Sequence, residues 1–88
     1  MTAARQLPVP ELLTVYGAAW CGDCHRARRY LDRAGVAYRY VDLQVDHQAQ
    51  AMLDAEGLRS IPVVVTTDGQ VLIEPSEWDL ARVLGSIP

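Results

Sequence analysis

The stretch Trp20-Cys21-Gly22-Asp23-Cys24-His25 decides how the rest of the chain is read. Just before it, residues 12–16 are apolar and rich in β-favouring types, the pattern of a strand. Residues 17–22 then make a turn. Beyond it, Ala27, Tyr30, Leu31 and Ala34 recur at the spacings of one helical face, and Arg26, Arg28, Arg29, Asp32 and Arg33 take the opposite face. This predicts a helix over 23–34, with Gly35 at its stop position. The motif is therefore strand, turn, then C-x-x-C opening a helix.

That arrangement suits thiol–disulfide exchange, which needs one thiolate to attack and a second thiol nearby to resolve the mixed disulfide. The first cysteine lies at the helix N-terminus, where unpaired N–H groups and the dipole favour a thiolate. Cys21 is thus the expected nucleophile and Cys24 the resolving thiol. Trp20 flanks Cys21 as an apolar shield. Gly22, Asp23 and His25 are the expected tuning residues: a carboxylate at Asp23 opposes charge on the neighbouring sulfur, yet it suits a helix N-terminus.

Other chemistries share the motif. Two idle buried thiols or a disulfide staple would need only the cysteines, but a reducing compartment and a βαβ setting favour a redox or metal role. Cys21-Gly22-Asp23-Cys24-His25 also matches C-x-x-C-H, the attachment signature of c-type haem. Haem would take His25 as an axial ligand and leave only Met52 or His47 as the second. Zinc would need a fuller donor set than two cysteines with His25 or His47, and no second C-x-x-C or H-x₃-H supplies it. An iron–sulfur cluster bridging two subunits through Cys21 is a further metal-binding reading. The expectation is no bound metal or cofactor.

Outward from the motif, residues 36–42 alternate as a second strand, and Asp46 caps a helix over 47–56 that ends at Gly57. Ser60-Ile61-Pro62 leads into a third strand at 63–66. The Asp68-Gly69 pair turns the chain back into a fourth strand at 71–74. Ser76 is the N-cap of a last helix ending near Gly85, with Glu77 and Asp79 in its first turn. Trp78 reads as core or hairpin packing. The order is β-α-β-α-β-β-α, an α/β domain whose first strands are joined in parallel by helical crossovers.

Pro62 admits two readings: a proline at a strand start, or a cis-proline facing the dithiol. In the second, the Ile61 backbone would pair with an extended substrate. The start of the last helix, Ser76 and Glu77, is a candidate to hold a substrate carboxylate on its free N–H groups.

The 88 residues make one domain, at 11–88, behind a flexible arm at 1–10 that Pro8 and Pro10 keep from regular pairing. Net charge is −3, and all eight basic residues are arginine. An acidic balance argues against nucleic-acid partners. The longest apolar run, 61–65, is too short for a bilayer, and the first ten residues lack the apolar core of a signal peptide. The expected setting is the cytoplasm, with no membrane partner and the protein a monomer.

Taken together, Trp20-Cys21-Gly22-Asp23-Cys24 after a strand, Ser60-Ile61-Pro62 some forty residues on, and Asp68-Gly69 in a hairpin before a final helix resemble the glutaredoxins. The resemblance covers about 12–86. Within that group, Trp-Cys-Gly-x-Cys and the pair Pro75-Ser76 are most similar to the mycoredoxins, actinobacterial members that reduce mixed disulfides with mycothiol. It implies a thioredoxin fold with a four-stranded mixed sheet of order 2-1-3-4 flanked by three helices, a cis Pro62, Cys21 as the attacking residue and a low-molecular-weight thiol as co-substrate. The departures bear on that thiol. Glutathione-using members carry a lysine shortly before the first cysteine, where this chain has Ala18 and Ala19. They also carry a Gly-Gly pair before the last helix, where this chain has Glu74-Pro75. Mycothiol is therefore expected ahead of glutathione. Expected partners are thiol-modified or disulfide-bonded proteins, with a flavin-dependent thiol or thioredoxin reductase system as the source of electrons. The alternative within this chemistry is a dithiol electron donor to an enzyme such as ribonucleotide reductase.

Overall fold

The computed structural model describes residues 7–85. Its elements are β1 (Leu13–Gly17), α1 (Gly22–Arg33), β2 (Tyr38–Asp42), α2 (His47–Ala55), β3 (Val63–Val65), β4 (Val71–Ile73) and α3 (Glu77–Gly85). The strands form one four-stranded sheet of order β2-β1-β3-β4. Strand β1 is parallel to β2 and antiparallel to β3, and β3 is antiparallel to β4. This is the thioredoxin fold expected from the sequence.

Alternation along the central strands sends side chains to two separate cores. Leu13 and Val15 of β1 and Val64 of β3 pack with Ala27 and Leu31 of α1 and Leu80 of α3. Tyr16, Val63 and Val65 point the other way and pack with Ala49 and Leu53 of α2, together with Val41, Leu43 and Leu58. Both central strands are buried on two faces, which is why β1 and β3 read as continuous apolar runs.

Helices α1 and α2 end in the same way. Gly35 and Gly57 take left-handed φ of 71° and 72°. Their N–H groups donate to Asp32 and Asp54 carbonyls at 3.1 and 3.0 Å, and the next residues, Val36 and Leu58, donate to Leu31 and Leu53 carbonyls at 3.1 and 2.9 Å. Such paired bonds satisfy the last carbonyls of a helix and turn the chain sharply back toward the sheet.

The element bounds move by one or two residues from the expected ones. Helix α1 begins at Gly22 because Cys21 itself caps it, and β2 begins at Tyr38 because 34–37 are spent on the turn out of α1. Strand β3 ends at Val65: Thr66 closes the hairpin, its N–H donating to the Gln70 carbonyl at 3.0 Å while its hydroxyl accepts from Gln70 N–H at 2.9 Å. That hydroxyl also donates to the Asp68 carboxylate. Trp78 corrects the sequence reading outright. It is 85% exposed on the outer side of α3, since Leu80 and Val83 form the helix's buried face and leave that position to solvent. Of the expected N-terminal arm, residues 1–6 lie outside the described residues, and Leu7 packs against the α2-side core.

Candidate active site

Strand β1 carries the chain to one end of the sheet, and a short loop then turns it into α1. Cys21 closes that loop by donating its N–H to the Ala18 carbonyl at 3.1 Å. Two further bonds pin it: Ala19 N–H donates to Gln44 Oε1 at 3.3 Å, and His25 Nε2 donates to the Ala19 carbonyl at 2.6 Å. A carbonyl only accepts, so this contact places a proton on Nε2. His25 thus braces the loop and is turned away from the ligand role beside the cysteines that the sequence offered.

Cys21 is the N-cap of α1, and its sulfur takes the place of the usual hydroxyl or carboxylate oxygen. It accepts the Cys24 N–H at 3.1 Å. Its thiol points toward the Ile61 carbonyl oxygen at 3.8 Å. Ile61 comes this close because β3 pairs with β1 through Val63 opposite Tyr16, which lays the residues before β3 beside the loop after β1. The Ile61–Pro62 bond is cis. Ser60 and Ile61 face Trp20, Cys21, Gly22 and Asp23 across an open cleft of about 340 Å³.

The two thiols have different surroundings. Cys21, itself only 6% exposed, lines the cleft, whereas Cys24, 1% exposed, does not. The α-carbon of Gly17 lies directly against Cys24, so close that a methyl there would stand 2.8 Å from Sγ and 3.2 Å from a Tyr40 ring carbon. Tyr40 is covered in turn by the Arg28 guanidinium, 3.8 Å from its ring centroid. Burial pushes the Cys24 thiol up to about 12, with the hydrogen bond and charge of Cys21 and the carboxylate of Asp23 adding to it and a backbone bond to Ala18 opposing it. Cys24 is therefore protonated at neutral pH. The Asp23 carboxylate pairs with Arg26 at 2.7 Å along the exposed side of α1.

Ser76 and Glu77 are not among the cleft residues. The Ser76 hydroxyl accepts Asp79 N–H at 3.1 Å while Asp79 Oδ2 accepts Ser76 N–H at 2.9 Å, a reciprocal cap that already engages two of the N–H groups at this helix start. Glu77 reaches Arg33 at the far end of α1, 3.7 Å away. Sequence reasoning did not single out two residues that do line the cleft, Arg59 and Glu74. Arg59 adjoins Ser60, so its position was within reach of the Ser60-Ile61-Pro62 signal. Glu74 was noticed only as a replaced glycine. It has φ of 50°, and its N–H donates to the Pro62 carbonyl at 2.8 Å, which ties the end of β4 to the residue before β3.

Among the described residues, no group of three or more His, Cys, Asp or Glu side chains is placed to hold a metal ion, and no helix is long and apolar enough to cross a membrane. The sequence model of the family described as Glutaredoxin matches residues 13–72, from the start of β1 into β4, including both cysteines and Pro62. The chain belongs to the glutaredoxin family. A Mycobacterium tuberculosis protein whose name places it among the glutaredoxins is 35% identical over 81 residues, 90% of this chain and 96% of that one. The glutaredoxin-like protein NrdH of Escherichia coli K12 is 29% identical over 56 residues, 64% of this chain and 69% of that one. The solved structure of the E. coli NrdH-redoxin, described as having a thioredoxin-like activity profile, superposes with a TM-score of 0.76 at 25% identity, covering 86% of this glutaredoxin and 97% of that chain. This glutaredoxin is a thiol–disulfide oxidoreductase, and its C-x-x-C pair is Cys21 and Cys24.

Proposed function

We propose that this glutaredoxin reduces mixed disulfides between proteins and a low-molecular-weight thiol, using mycothiol ahead of glutathione, in the reducing cytoplasm. The observation that carries the reading is the inequality of the two sulfurs: Cys21 lines the cleft and caps α1, while Cys24 is sealed behind it.

Cys21 thiolate attacks the small-thiol sulfur of the mixed disulfide. A Cys21–small-thiol disulfide forms, and the protein thiolate leaves and takes up a proton. The Cys24 N–H aimed at Cys21 Sγ strengthens with charge on that sulfur. Release then follows one of two routes. A second small thiol attacks the bound one and leaves as the small-molecule disulfide, or Cys24 attacks Cys21 and expels the small thiol. Capping Cys21 removes its charge and its hydrogen bond from beside Cys24, two of the influences that keep Cys24 protonated. The resolving thiol thus becomes easier to ionise only after the first step.

Support for mycothiol comes from the sequence: Ala18 and Ala19 stand where glutathione users carry lysine, and Glu74-Pro75 where they carry Gly-Gly. The mycobacterial relative adds to it. The likeness to NrdH supports a second reading, a dithiol electron donor recharged by thioredoxin reductase, which needs both cysteines at every turnover. Reduction of a mycothiolated protein by the Cys24→Ser variant, with mycothiol as reductant, separates them. Retained turnover supports the first reading. Loss of turnover in Cys24→Ser excludes release by a second small thiol, and a parent that accepts electrons from thioredoxin reductase but not from mycothiol refutes the first reading in favour of the second.

A further inference from the structure

The cleft beside Cys21 carries two charges that the exchange chemistry does not use. Arg59 and Glu74 both line it, and among the described residues neither has an ion-pair partner within 4 Å, including each other. Both are exposed, so neither serves the core. Glu74 is held at φ 50°, a left-handed conformation that an ordinary side chain adopts at a cost. A glycine would relieve that cost, and nothing in the packing calls for a carboxylate there.

We propose that Glu74 is a specificity-determining residue, a carboxylate that discriminates against small thiols bearing free carboxylates, with Arg59 as the opposite charge lining the same cleft. This deepens the mixed-disulfide reading and rests on it. An anionic group entering on the Glu74 side meets like charge, while hydroxyl groups can donate to that carboxylate and accept from the Arg59 guanidinium. The cleft therefore suits an uncharged, hydroxyl-rich thiol. The discrimination acts as the small disulfide approaches and in the first exchange: Cys21 thiolate attacks one of its sulfurs, forming a Cys21–small-thiol disulfide and releasing one small thiol, and Cys24 then attacks Cys21, forming the Cys21–Cys24 disulfide and releasing the second.

The experiment needs no reductase and no natural co-substrate. Reduced protein is mixed with three disulfides of similar size: cystamine (cationic), bis(2-hydroxyethyl) disulfide (neutral) and 3,3′-dithiodipropionate (anionic). The second-order rate constant is read from loss of protein thiols. In Glu74→Gln the anionic-to-neutral rate ratio rises by about threefold or more at low ionic strength and the cationic-to-neutral ratio falls; both effects shrink in high salt as the charges are screened. Arg59→Gln moves both ratios the opposite way. Ratios within twofold of the parent in Glu74→Gln, with the parent reacting normally, overturn the filter and leave the mixed-disulfide reading standing. A parent that reacts with none of the three overturns both.

Discussion

Replacing Gly17 with alanine tests how tightly the resolving thiol is enclosed. The added methyl would stand 2.8 Å from Cys24 Sγ, 3.1 Å from Cys24 Cβ and 3.2 Å from Tyr40 Cε1. Unstrained contacts between such atoms are about 3.5–4.0 Å, so the first overlap approaches an ångström. Cys24 has no room to yield, and the half-buried Tyr40 is held on one face. Cys24 is 1% exposed and its N–H is bound to Cys21 Sγ, while Tyr40 lies under Arg28. Overpacking of this kind costs about 1–3 kcal/mol, and the stiffer unfolded chain offsets about 0.4–1 kcal/mol. A net loss of about 1–2 kcal/mol lowers Tm by about 5–15 °C in a domain of this size. Because Cys24 Sγ must move, closure of the Cys21–Cys24 disulfide slows as well. Circular-dichroism melts of the reduced protein give the first quantity, and stopped-flow closure after loading Cys21 with a small thiol gives the second. Gly22→Ala is the control: a methyl there meets nothing within 4 Å, and this variant melts at or above the parent. A Gly17→Ala protein that melts at or above the parent and closes its disulfide at the parental rate refutes the enclosure argument.

Alkaline pH gives a second test. The folded state holds the Cys24 proton up to about 12, against an ordinary 9.0, so the stability it contributes is present below about pH 9 and is lost as pH rises toward 12. Burial raises Tyr16 and Tyr40 in the same direction, so Cys24→Ala flattens only part of the fall in Tm across that range. Ser76→Ala removes the hydroxyl half of the α3 cap and destabilises the fold by about 0.5–2 kcal/mol in urea unfolding, with an unchanged m-value.

The dithiol, the seven elements and their order were legible because each rests on a local signal. Helical periodicity marked α1, Asp46 and Ser76 announced helix starts, and Asp68-Gly69 announced the hairpin. Local signals also explain the small errors. Cysteine is not a usual helix cap, so the start of α1 was placed after Cys21, although its sulfur does the capping. What stayed hidden depends on contacts between distant segments. Arg59 and Glu74 reach the cleft only because β3 and β4 add to the sheet on the β1 side, and Gly17 matters only because Cys24 and Tyr40 converge on it. Ser76 and Glu77 were expected at the cleft as a helix N-terminus, but the reciprocal bonds to Asp79 and the reach of Glu77 to Arg33 engage them elsewhere.

Trp20 stands 72% exposed next to Cys21, and the chain's other tryptophan, Trp78, is 85% exposed on α3, at the opposite end of the chain from the dithiol loop. Disulfides quench indole emission at short range, so the molecule carries its own optical readout of oxidation state. With Trp78 replaced by phenylalanine, a single tryptophan, beside the reacting sulfur, remains to be excited selectively, and each exchange step is followed in real time without a dye or a coupled enzyme.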